Sequence, residues 1–204
     1  MKIIVKKQII IIGGGTTFDT YEEYIFYLKN KEVDIDFFKA KIKWKDTLAE
    51  KLGTDFEIIS PKMPNVTSAR YEEWKIWFEK FFPFINDEVI LTGHSLGGIF
   101  LAKYLSENLF PKKIKAVILV AAPFDTENAI ESLGSFVLGK TLEKFENQTS
   151  KIYLFHSEDD PVVPFEQVNK YKKSLPNSEM IVFKNKQHFN HEFFPEIVEL
   201  IKNI

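Results

Sequence analysis

Six short apolar runs punctuate the chain: QIIII at 8–12, FEII at 56–59, EVILT at 88–92, KAVILVA at 115–121, KIYLFH at 151–156 and EMIVF at 179–183. In most of them the apolar residues are continuous, the pattern of strands buried on both faces. Between the runs the period changes to that of helices. YEEYIFYLK at 21–29 follows Asp19 and Thr20, with Glu22 and Glu23 each three residues later, a capping-box spacing. YEEWKIWFEKFF at 71–82 puts Tyr71, Trp74, Trp77, Phe78, Phe81 and Phe82 on one stripe. IFLAKYLSENL at 99–109 is apolar at Leu101, Tyr104, Leu105 and Leu109. FEQVNKYKKSL follows Pro164, and EIVELIKNI follows Pro195, a residue suited to a first helical turn.

Strands alternating with helices predict an α/β protein: a doubly wound, mostly parallel sheet of about six strands with helices on both faces. No repeat, low-complexity tract or linker interrupts the pattern, so residues 1–204 are read as a single domain. The segment 124–150 is long enough for two short helices, broken near Gly134 or Gly139, and too short for a cap domain. Its Ile130, Leu133, Phe136, Val137, Leu138, Leu142 and Phe145 are expected to cover the sheet edge and the rim of a site. That predicts little or no lid over an open cleft. The 20 phenylalanines are read as core packing.

Composition narrows the function. Hydrophobic content of 45% and charged content of 27% are those of a soluble globular protein. A net charge of −2 without a basic stripe argues against general binding to nucleic acid or anionic membrane. With no cysteine, a disulfide framework, a thiol nucleophile and cysteine metal sites are all excluded. Near the start, the longest apolar run is the four isoleucines 9–12, read as a strand and not a signal peptide. No run approaches the ~20 apolar residues of a membrane span, and a cytoplasmic protein is expected.

Ligands of doubly wound sheets bind outside the carboxyl ends of the strands. Chemistry-bearing residues stand at those ends: GGGTT at 13–17, Ser95, APFD at 122–125, SEDDPVVP at 157–164 and NKQHFNH at 185–191. In LTGHSLGGIF (91–100), strand, sharp corner and helix surround Gly-His-Ser-Leu-Gly, the context in which G-x-S-x-G presents a nucleophile. Side chains at Gly93 or Gly97 would collide in so tight a corner. The same letters also fit a glycine-packed connection whose serine caps the helix.

A serine nucleophile needs a base, an acid that orients it and an oxyanion hole. His94 adjoins Ser95 and points away from its hydroxyl, and His156 ends a strand whose loop is occupied by acids. His188 and His191 lie in the loop after the last strand, where a G-x-S-x-G serine on such a sheet would find its histidine. Among Glu158, Asp159 and Asp160, the last precedes a proline that forces it extended at a loop bend. Turn formation and capping suit the other two, and Asp125 is a weaker competitor. GGGTT lacks the pattern of a phosphate loop and reads better as a source of one backbone N–H that joins that of Leu96 around an oxyanion. His156, Asp159, Asp160, His188 and His191 also have the atom types of a metal site.

The chain resembles the small α/β-hydrolases grouped with retinoblastoma-binding protein 9 and its bacterial relatives. The resemblance rests on IIIIGGGTTF, PKMPN, the helix around Trp74, GHSLGG, AAPF, DDPVVP and QHF, and it spans nearly the whole chain. It implies Ser95 as nucleophile, Asp160 as acid and His188 as base; the glycine turn and the elbow are themselves read as setting Leu96 and Gly15 N–H groups at the oxyanion, with Gly14, Thr16 and His94 expected against the substrate. Many relatives end the first strand in His-Gly, where this chain has Gly13. The activity implied is a carboxylesterase-like serine hydrolase that cleaves small-molecule acyl esters through an acyl-serine, with no cofactor and no metal. A catalytically weak or inactive binding module on the same fold is the alternative. A protein partner is compatible with the sequence without being indicated by it.

Overall fold

The computed structural model describes residues 6–127 and 131–204. Its sheet holds six strands, all parallel, in the order β2-β1-β3-β4-β5-β6. They are β1 Lys7–Ile12, β2 Phe56–Ile59, β3 Val89–His94, β4 Ile114–Val120, β5 Ile152–Ser157 and β6 Glu179–Phe183. Each lies within two residues of a run read from the sequence. The helices are α1 Tyr21–Asn30, α2 Trp44–Leu52, α3 Tyr71–Glu79, α4 Leu96–Glu107, α5 Glu143–Glu146, α6 Glu166–Ser174 and α7 Pro195–Asn203.

Successive side chains of a strand point to opposite faces, and β1 shows why four consecutive isoleucines are needed. Ile9 and Ile11 pack with Trp44 and Leu48 of α2 and Ile197 and Ile201 of α7. Ile10 and Ile12 pack with Trp74 and Phe78 of α3, Phe100 of α4 and Tyr171 of α6. All four isoleucines are fully buried, as a strand covered on both sides requires.

Three local expectations change. Of the aromatic stripe, Tyr71, Trp74 and Phe78 are buried, and Phe81 and Phe82 pack against the same core beyond the helix, which ends at Glu79; only Trp77 lies at the margin, exposed. Leu109 falls beyond the end of α4 and is also exposed. α2 is an element the sequence reading did not single out. Within 124–150 the structure forms one turn of 3-10 helix at Gly134–Phe136 and the short α5. Leu133, Phe136, Leu142 and Phe145 are buried, Val137 is exposed, and Ile130 lies outside the described residues.

The largest departure lies between β1 and α2. No residue of α1 is buried, although its capping box forms as expected, with the Thr20 hydroxyl accepting from the Glu23 N–H. Phe26 (69%), Ile35 (72%) and Phe38 (70%) of this excursion stand exposed, so these apolar side chains, two of the phenylalanines among them, are not core.

Strand order reverses between β1 and β3, because the chain leaves β1 for β2 on one side and returns to β3 on the other. The crevice outside such a reversal is where open α/β sheets bind ligands. The turns at its two sides are 13–17, after β1, and 93–98, across β3 and α4.

Candidate active site

Ser95 joins β3 to α4 with φ 56° and ψ −125°. A non-glycine residue in that region carries about 1–3 kcal/mol of backbone strain and persists only where its surroundings hold it. Here the Ser95 N–H donates to Val120 O at 2.9 Å and its carbonyl accepts from the Gly98 N–H at 2.8 Å. The corner closes only because Gly97 lacks a side chain: a Cβ there would run into the Ile12 carbonyl oxygen and lie 2.5 Å from that of Gly13. The strained serine and the carboxyl end of β1 are thereby pressed together.

The acid and base loops follow β5 and β6. Asp160 Oδ1 accepts from the Val162 and Val163 N–H groups at 2.8 and 3.0 Å, a turn that Pro161 opens, and its side chain is fully buried. His188 Nδ1 meets Asp160 Oδ2 at 2.9 Å and Oδ1 at 3.1 Å. With Nδ1–H donated to the carboxylate, Nε2 is left free. Gln187 and Phe189, on either side of His188, both have positive φ, 47° and 51°, so the ring is held by a constrained loop. His188 and Ser95 line one cleft. No hydrogen bond joins the Ser95 hydroxyl to the His188 ring in this structure.

The neighbouring candidates have other partners. Asp159 Oδ1 accepts from the Ser157 hydroxyl at 2.6 Å and from the Gln187 N–H at 2.9 Å, tying the acid loop to the base loop. The Ser157 bond, foremost, holds its carboxyl below the usual range. Asp125 pairs with Lys170 at 2.7 Å. His191 Nε2 meets the Lys186 carbonyl at 3.1 Å on the surface. His156 is buried, with Nε2 on the Val163 carbonyl at 2.9 Å, and burial holds its ring below the usual histidine range. Among the described residues no three His, Asp or Glu side chains are arranged to hold a metal ion.

The loop after β1 is pinned by the Thr16 N–H donating to Val66 O at 2.8 Å and the Ala69 N–H donating to Thr16 O at 2.9 Å. Thr16 therefore has no N–H to offer a ligand. No hydrogen bond from the Gly15 or Leu96 N–H is found among the described residues. A Cβ built on Gly14 would lie 3.5 Å from Ser95 Oγ, so this loop passes directly over the serine.

His94 does not turn its ring toward the serine. Its Nε2–H donates to the His188 carbonyl at 2.9 Å, and Nδ1 accepts from Lys45 Nζ at 3.3 Å. Burial, then the charges of Lys45 and His188, keep this ring well below the usual histidine range, hence neutral. Lys45 was missed in the sequence because nothing around it forms a motif. α2 carries it to the cleft by seating Trp44 and Leu48 on β1, and only that helix's i, i+4, i+8 spacing of Trp44, Leu48 and Leu52 hinted at it.

Two recesses flank Ser95. One, narrow, is walled by Thr17, Pro123, Leu133, Val163, Pro164 and Gln167. The other, wider and more open, is walled by Thr16, Lys43, Lys45, His94, His188 and Asn190. Gly15, Ser95, Glu131 and Val162 line both.

The parallel sheet, its reversal point and a serine at a strained strand-to-helix corner define an α/β-hydrolase fold. A family model described as serine hydrolase matches residues 39–202, and the chain belongs to that family. Solved structures agree on the fold. The ydeN gene product of B. subtilis superposes with a TM-score of 0.77 at 19% identity, covering 97% of this chain and 98% of that one. The esterase domain of a Rhodothermus marinus protein gives 0.62 at 16% identity, over 97% and 85%. A carboxylesterase structure from the thaumarchaeon Nitrososphaera gargenis gives 0.60 at 12%, over 98% and 90%. No curated protein matches the chain. Among the described residues no helix is long and apolar enough to cross a membrane.

Proposed function

We propose that this serine hydrolase cleaves carboxylic esters of small molecules through an acyl-enzyme formed on Ser95. The observation that carries the reading is the His188–Asp160 pair, anchored by two backbone N–H groups, opening onto the cleft that holds the strained serine. In the reaction His188 Nε2 takes the hydroxyl proton as Ser95 Oγ attacks the ester carbonyl. Asp160 steadies the imidazolium without itself taking the proton. The oxyanion is held by the Leu96 and Gly15 N–H groups, a role supported by their lack of other partners. His188 then protonates the departing alcohol, and water, activated by the same ring, releases the acid. The open Ser95–His188 link fits a resting site, since such bonds tighten when substrate binds.

The recess beside Leu133 and Val163 suits a short acyl group, and each further methylene gains at most ~0.8 kcal/mol while apolar wall remains to receive it. The sequence resemblance supports a place within the retinoblastoma-binding protein 9 group. A fluorophosphonate probe is expected to label Ser95, with the adduct mapped by peptide mass spectrometry, and p-nitrophenyl acetate and butyrate are expected to outpace the palmitate ester. Labelling that survives Ser95→Ala would overturn the nucleophile, and absence of both labelling and turnover would favour a non-catalytic binding module.

A further inference from the structure

Lys45 is a cation in an unusual position. Charged groups removed from water are normally paired with an opposite charge, because the loss of hydration is otherwise uncompensated. Neither Lys45 nor Lys43 has a carboxylate within ion-pairing distance among the described residues. The stretches outside the description, MKIIV and NAI, contain no acid that could serve. The neighbouring carboxylate, Asp46, accepts from the Lys43 N–H at 2.8 Å as a helix cap. Burial pulls the Lys45 ammonium down to about 8, Lys43 adds to the fall and Asp46 offsets part of it. Of the three Nζ hydrogens, one is used on His94.

This ammonium lines the same recess as Ser95 and His188. A Cβ on Gly13 would lie 3.5 Å from Lys45 Nζ, and one on Gly14 would lie 3.5 Å from Ser95 Oγ. Those glycines are consecutive, about 3.8 Å apart at Cα, so the ammonium lies within about 14 Å of the hydroxyl, along the same recess. A short chain can join a reacting carbonyl to a terminal anion within that reach. Lys43 lines the same recess, with Asn190 as a neutral donor; Glu131 lines both this recess and the apolar one.

We propose that Lys45 and Lys43 form an anion-binding subsite beside Ser95, making the enzyme selective for esters that carry a carboxylate in the non-reacting part of the molecule. The inference rests on the esterase reading above and names its substrate class. A carboxylate here would complete the ion pair that Lys45 lacks and accept its unused hydrogens. The subsite is a determinant of specificity, and the chemistry at Ser95 does not pass through it.

The test compares each anion with its neutral isostere. Monoethyl succinate, glutarate and adipate are set against the corresponding ester carboxamides, which puts the anion on the acyl side; 3-acetoxybenzoate against 3-acetoxybenzamide puts it on the leaving group. Wild type is expected to favour the carboxylate about tenfold in kcat/KM in at least one arm, the scale of a hydrogen-bonded charge. The ratio is expected to shrink toward one in K45M and in K43M, to survive in K45R, and to weaken at high salt. Fluorophosphonate labelling of Ser95 is followed in every variant. Wild type that labels at Ser95 yet turns over carboxylate and carboxamide equally in both arms overturns the subsite and leaves the esterase reading standing. If K45M slows both members of each pair equally while K43M leaves the ratio intact, Lys45 acts only by positioning His94, and the subsite is again overturned. Loss of labelling and of all turnover in wild type brings both readings down together.

Discussion

The two turns that face each other across the cleft, 93–98 and 13–17, are both rich in glycine, for different reasons. At Gly97 a single added carbon would enter the backbone of β1, so the residue is fixed by the crossing of two chains. At Gly13 the same carbon would meet only the Lys45 ammonium, at 3.5 Å, an ordinary contact with the far end of a flexible side chain. The first turn is rigid because backbone meets backbone. The second is mixed: at Gly13 an added carbon meets only a flexible side chain, while at Gly15 it would lie 2.7 Å from the Val66 carbonyl oxygen, in a loop held by hydrogen bonds to Val66 and Ala69. A short motif can specify the former, whereas the latter depends on residues scattered over fifty positions.

The largest effects should come from the side chains that the rigid turn confronts. His188→Ala and Asp160→Asn are each expected to lower kcat by ~10³-fold or more, the scale seen when a triad is broken. His191→Ala and Asp159→Asn should be far milder, since those residues contact the Lys186 carbonyl and the loop backbone instead. Steady-state kinetics on one ester checks all four, and a reversal within either pair would move the assignment to the neighbour.

Next in size is the corner itself. Gly97→Ala is expected to destabilise the fold by about 3 kcal/mol, because the clash is with backbone that cannot swing aside. Urea unfolding measures it, and a loss under 1 kcal/mol would mean the corner is looser than described.

Protonation separates the turns by pH. His94, at the end of β3, is held well below 6.5 by burial first and by Lys45 and His188 after it. The unfolded chain therefore binds the extra proton sooner, so stability is full above about pH 6.5 and falls as the pH drops below it. Lys45, beside the other turn, titrates at about 8 folded against 10.5 unfolded. Here too the unfolded chain holds more protons within the window, and stability rises with pH from about 8 to 10.5. Urea midpoints measured across both ranges should show the two slopes, with His94→Gln flattening the acid one and Lys45→Met the alkaline one. Smallest of all, Gly13→Ala should change stability by no more than ~0.5 kcal/mol, read from the same urea curves.

What the sequence revealed follows the same division. Continuous apolar runs located the strands because burial on both faces leaves no room for polar alternation. The elbow was legible because its geometry admits few residues, and the Asp160 bend because a following proline restricts it. Lys45 was not legible: its neighbours KIKWKD look like a solvated stretch, and only the seating of Trp44 on the sheet turns the ammonium inward. The excursion before it was misread in the other direction. Tyr21, Phe26, Phe37 and Phe38 have the composition of a core and the exposure of a surface: among the described residues nothing buries any position of α1 or of the 3-10 turn Ile35–Phe38. By contrast, Leu133, Phe136 and Phe145 found the cover that their pattern demanded.

The positive φ of Ser95 has a practical consequence for anyone wishing to make this protein more robust. Glycine adopts that conformation without strain, so Ser95→Gly relieves about 1–3 kcal/mol while removing the only hydroxyl at the corner. Stability and the hydroxyl therefore pull this one position in opposite directions. A directed-evolution campaign scored on melting temperature alone would drift toward the glycine and deliver a hardier protein with an empty elbow.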